Sequence, residues 1–160
     1  MLDMLRDLVA HKGWADAAML RAVRTNEPAA ADHEVLALLH HVLLANRFWL
    51  LTVAGLPFVL ETEARTSSSF DDLVDRYRVS HAQEVSWFAG ATVGDVARVL
   101  EAPAIPGGRC RVMDAWTQVC LHSQGHRSQC AKLLRRHGGV PPTTDYIVWI
   151  GQRAAARWTE

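Results

Sequence analysis

Two histidines four residues apart, His122 and His126, are the part of this sequence best suited to chemistry. In a helix, residues at that spacing lie about 40° apart around the axis and one turn apart along it. Both imidazoles then reach one point in space and form half of a metal site. Neutral imidazole suits zinc, nickel, copper or iron(II). Two ligands hold an ion weakly, so a third must come from another element. His41 lies in the middle of a second apolar helical stretch, next to His40. These two point about 100° apart on the wheel, so only one faces the site, and spacing alone does not choose. Three histidines with a fourth position open is the catalytic rather than the structural arrangement of zinc-like sites. The competing reading is plainer: core histidines bonded to a neighbour's carbonyl or carboxylate.

Other residues are secondary candidates. Gln129 lies about 20° from His122 on the wheel, two turns on. It either bonds a ligand's second nitrogen, lines the pocket, or fills a polar position in a helix contact. Cys130 follows His126 by four residues and reads as a buried, inert thiol, with approach to the site as the alternative. Cys120 points about 160° from His122 and is not a ligand. Trp49, Trp87 and Trp116 read as core, with Trp49 the candidate for a pocket wall. His11, His33, His81 and His137 read as surface or capping residues.

The elements that must position these residues are helical, and no segment alternates as a long strand. The first helix is expected from about Leu2 to Arg24, carried by Leu2, Leu5, Leu8 and Val9, with Asn26-Glu-Pro28 as punctuation. The second starts near Asp32 as N-cap and runs to about Val53, ended by Gly55 and Pro57. Gly55 to Ser69 is a long connection, read as a crossover that leaves helices two and three parallel. The third helix opens at Ser69-Phe-Asp-Asp72 and runs to about Phe88. Val96 to Leu100 reads as a short strand, and Pro106-Gly107-Gly108 as the turn of a small hairpin. The fourth helix spans about Met113 to Arg136, and Tyr146 to Trp158 reads as a short closing helix. The fold class is all-α, a four-helix bundle in one domain over residues 1–160.

Lys+Arg and Asp+Glu both number 17, which leaves no basic footprint for nucleic acid and no polybasic patch for lipid. The apolar stretch from Val35 to Leu60 is broken by His40, His41, Asn46 and Arg47, too polar for a membrane span. The start has no h-region, so no signal peptide is expected. Three cysteines, an odd number, fit a reducing compartment, and the expectation is a cytoplasmic protein.

Four segments together resemble the DinB family of four-helix proteins, the DinB/YfiT-like metalloenzymes. Trp14-Ala15-Asp16 resembles the family's Trp-Ala-Asn. His41 followed eight residues later by Trp49 resembles its helix-two pattern. His122-Ser-Gln-Gly-His126-Arg127-Ser128-Gln129 resembles its His-x3-His-Arg-Gly-Gln. Gly139-Val-Pro-Pro142-Thr-Thr-Asp145 resembles its Gly-x-Pro-Pro-x-Thr-Asp. The four lie in order across nearly the whole chain. Ser128 and Asp16 depart from the usual glycine and asparagine, and neither removes a ligand.

The resemblance implies His41, His122 and His126 as ligands of one divalent metal (zinc, nickel or iron), and so prefers His41 to His40. It implies an up-down-down-up bundle and a homodimer. It implies a metal-dependent transferase or hydrolase acting on a small molecule, with a low-molecular-weight thiol such as bacillithiol or mycothiol as cosubstrate. The alternative is a non-catalytic metal-binding stress-response module. Neither a nucleic acid nor a membrane is an expected partner.

Overall fold

A computed structural model describes residues 1–153 and is mostly helical. Four long helices build it: α1 (Leu2–Arg24), α3 (His33–Ala54), α5 (Phe70–Gly90) and α7 (Val112–Arg136). Three short helices, α2 (Glu27–Ala30), α4 (Leu60–Glu63) and α6 (Val93–Ala97), lie in the connections, and α8 (Tyr146–Gln152) closes the described chain. β1 (Val99–Glu101) pairs antiparallel with β2 (Arg109–Arg111), with Leu100 opposite Cys110.

The long helices begin and end for local reasons. Asp32 caps α3 by accepting from Val35 N–H at 2.9 Å, and Ser69 caps α5 by accepting from Asp72 N–H at 3.1 Å. Gly55 ends α3 in the left-handed conformation, φ 70°, where a residue without Cβ carries no strain. The expected bounds of the four helices hold to within one or two residues.

The connections differ from expectation. Asn26 and Pro28 do not simply punctuate the chain: Asn26 caps α2, accepting from Ala29 N–H at 3.0 Å. The Gly55 to Ser69 connection contains α4. Val96 and Ala97, expected in a strand, belong to α6, because Thr92 and Asp95 form a capping box that starts a helix there. The strand begins later, at Val99. The closing helix starts at Tyr146 as expected, whereas its expected end at Trp158 lies outside the described residues.

Each long helix packs chiefly on two others: α3 on α5 and α7, and α1 on the same pair. The core divides into two clusters. One gathers Leu20, Val23, Leu39, Leu43, Leu73, Tyr77 and Leu134; the other gathers Leu5, Val53, Phe88, Val96 and the fully buried Trp116. By length and composition α3 can cross a membrane, at mean hydropathy 1.4, contrary to the reading of its polar residues. In this structure its Val35, Leu39, Leu43 and Leu50 are buried in the two clusters.

Candidate metal centre

Between the clusters the helices are tied by polar contacts, and these fix where the histidines stand. Tyr77 on α5 donates its buried hydroxyl to the Leu39 carbonyl of α3 at 2.7 Å, two residues before His41. Ser123 on α7, next to His122, donates to the Asn46 side-chain oxygen on α3 at 3.2 Å. Arg127, next to His126, donates to Asp16 on α1 at 2.6 Å. Each tie sits within a few residues of a histidine and joins a different pair of helices.

At that level His41 Nε2 lies 3.2 Å from His122 Nε2, and His126 Nε2 lies 3.1 Å from His122 Nε2. One nitrogen from each ring falls within 4.8 Å of the others. His41 is exposed, and the other two are half-buried. His126 donates from Nδ1 to Gln129 Oε1 at 2.9 Å, which leaves the Nε2 lone pair turned to the cluster. His122 Nδ1 is buried with no hydrogen-bond partner.

Burial pushes the His122 pKa down to about 4, and nearby His126 and His41 add to the shift. Burial also lowers His41, followed by the effect of His126 and His40. Both rings are therefore mostly neutral near neutral pH.

The donor set fits a divalent cation. A neutral His122 carries at most one proton on Nε2, so it satisfies one of its two close neighbours and not both. A cation held among the rings would take lone pairs from all three. Metal–nitrogen bonds of about 2.0–2.1 Å at tetrahedral angles place nitrogens about 3.3 Å apart, close to the two short separations here. Among the described residues no carboxylate or thiol joins the three nitrogens.

His40 faces elsewhere, its Nε2 3.0 Å from the Arg65 carbonyl in the α3–α5 connection. Cys130 is buried in the first core cluster, and burial pushes its thiol up to about 12. Cys120 is likewise raised to about 12 by burial. Trp49 packs on the second core cluster, its ring centroid 5.1 Å from that of Phe48. It lies eight residues along α3 from His41, about 12 Å. Beneath His126 a void of about 10 Å³ touches Asp16, Tyr77, Arg127 and Cys130. That is room for about one water molecule and no substrate.

Two histidines read as surface or capping residues are neither. His11 is buried, 2.9 Å from the Thr144 carbonyl, and burial lowers its pKa. His81 lies against Gly13 of α1, and its Nδ1 is 3.5 Å from Glu84. His33 is exposed as expected, and His137 pairs with Asp32 at 3.0 Å as it caps α7.

A buried charge network beside the site was also missed. Lys12 pairs with Glu84 at 2.9 Å and approaches Asp16 at 3.8 Å, and Asp16 pairs with Arg127. All four are at most 5% exposed. The available signal was their position in the apolar stripes of their helices: Leu5, Val9, Lys12, Asp16 and Leu20 recur at helical spacing on α1, as do Tyr77, Glu84 and Phe88 on α5.

Comparison with family models, with curated proteins and with solved structures finds no match to this chain.

Proposed function

We propose that the chain is a DinB-like metalloprotein that holds one divalent ion, zinc, nickel or iron, through His41, His122 and His126. The observation that carries this reading is the convergence of three imidazole nitrogens from two helices, with no fourth protein ligand beside them among the described residues. A site with three protein ligands and an open position is built to accept an incoming molecule. A divalent ion held there supplies Lewis acidity, enough to bring a water or a thiol into its anionic form near neutral pH.

The chain's own part is to orient and hold. Gln129 fixes the His126 tautomer. Asn46 with Ser123, and Asp16 with Arg127, keep α3, α7 and α1 in register around the rings. Asp16, where the family has asparagine, supplies the carboxylate that a buried Arg127 and Lys12 require. The exposed His41 leaves one side of the centre open to a small molecule. We read the activity as attack of an activated thiol or water on a small electrophile, in a cytoplasmic homodimer. The four long helices then form an up-down-down-up bundle, with Gly55 to Ser69 as the crossover.

The test is turnover of a generic electrophile by the metal-loaded protein with a panel of small thiols and with water alone. Metal-dependent turnover lost in His126→Ala is expected. Metal uptake without turnover across the panel favours the non-catalytic module instead.

A further inference from the structure

We propose that the groove between α3 and α7 beside the histidines is a subsite for the carboxylate of a small acid, with Lys132 as its cation. This deepens the metal reading and rests on it in one respect, that the acid's other end meets the histidine centre. The groove measures about 280 Å³ and is lined by Glu34, Leu38, Gln129, Lys132, Leu133 and Arg136.

Shared residues join the groove to the centre. Gln129 bonds His126 and also lines the groove. Leu38, three residues before His41, lines both the groove and the void under His126. On α7 the positions 122, 126, 129, 132 and 136 recur at three and four residues, so the groove continues the stripe that carries the histidines.

Apart from the Glu34 carboxylate, the polar groups of the groove are donors. Gln129 gives its oxygen to His126, which leaves the amide N–H groups for a ligand. Glu34, the carboxylate in the lining, is already engaged by Arg136. Lys132 has no hydrogen-bond or ion-pair partner among the described residues. One positive charge without a partner among the described residues, above an apolar floor of Leu38 and Leu133, selects an anion attached to a short hydrocarbon. Lys132 lies six positions after His126, about 9 Å along the helix axis. A molecule with a metal-seeking group at one end and a carboxylate at the other spans that distance.

Two measurements test this. In the first, the visible spectrum of cobalt(II)-loaded protein is followed during titration with 4-mercaptobutyrate and with 4-mercaptobutanol. The acid is expected to bind about 10-fold tighter than the alcohol. Lys132→Glu removes that preference and leaves the alcohol titration unchanged, and Lys132→Arg keeps it. Equal affinity for acid and alcohol on cobalt-loaded protein overturns the subsite and leaves the metal reading standing. In the second, amide NMR shifts of metal-free protein are followed with butyrate. Shifts centred on residues 129–136 that vanish in Lys132→Glu support the groove even if cobalt fails to bind. Failure of cobalt to bind overturns the metal reading alone. Identical butyrate shifts in wild type and Lys132→Glu overturn the groove.

Discussion

His41 and His122 stand 81 residues apart in the chain and bring their Nε2 atoms within 3.2 Å. They come from helices that bury apolar faces against one another, and Asn46 and Ser123 lock the contact from below. His126, one turn further along α7, completes the group.

On the proposed metal reading, removing a ring removes a ligand. His41→Ala, His122→Ala and His126→Ala are each expected to lower metal affinity by more than about 100-fold, beyond the effect of losing a supporting hydrogen bond. His40→Ala is expected to leave affinity unchanged, because His40 bonds the Arg65 carbonyl instead. Competition with a chelating dye measures both. Equal losses at 40 and 41 would contradict the assignment.

Gln129→Leu keeps all three rings and frees the His126 tautomer. Metal affinity is expected to fall about 10-fold, with unfolding temperature of the metal-free protein unchanged. Calorimetric titration and a thermal melt read the two effects separately.

Gly13 tests the packing of α1 on α5. A Cβ at this position overlaps the His81 imidazole, so Gly13→Ala forces the ring out. The expected cost is about 1–3 kcal/mol despite the better helix propensity of alanine. Adding His81→Ala should recover part of that loss in denaturant unfolding.

The long helices were legible in the sequence because their caps are local chemistry. Asp32, Ser69 and Gly55 mark ends within a residue or so of where they fall. The short helices α2 and α4 span four residues each, too few to display a period. The expected strand starts at Val96, three residues before the observed Val99, because the Thr92–Asp95 capping box carries a short helix through Ala97. At the site, the spacing of His122 and His126 is written in the chain, whereas the choice between His40 and His41 depends on which way α3 is rotated. Lys12 with Glu84 and Asp16 with Arg127 escaped because charged residues are ordinarily exposed, and the partners are 72 and 111 residues apart.

The buried network sets a stability prediction. Lys12→Met leaves the Glu84 carboxylate buried without its cation, whereas Asp16 keeps Arg127, and is expected to cost about 3–5 kcal/mol. Burial opposes charge on Glu84, yet the Lys12 cation and the His81 contact hold its carboxyl below the usual 4.5. A depressed pKa contributes stability that is full above 4.5 and is lost as pH falls through the folded value. Burial opposes charge on Lys12 too, but Glu84 and Asp16 raise it above 10.5, so its contribution is full below that pH and lost above the folded value. Urea unfolding of wild type and Glu84→Gln should therefore converge as pH falls below 4.5. A constant difference down to strong acid would contradict the pairing.

The most direct measurement is elemental analysis of protein purified without a polyhistidine tag or added metal, joined to anomalous scattering from its crystals. The account predicts close to one divalent transition metal per chain, with the anomalous peak bonded to the imidazoles of His41, His122 and His126. A metal-free protein that also takes up no ion on titration, or a peak elsewhere in the fold, would contradict it.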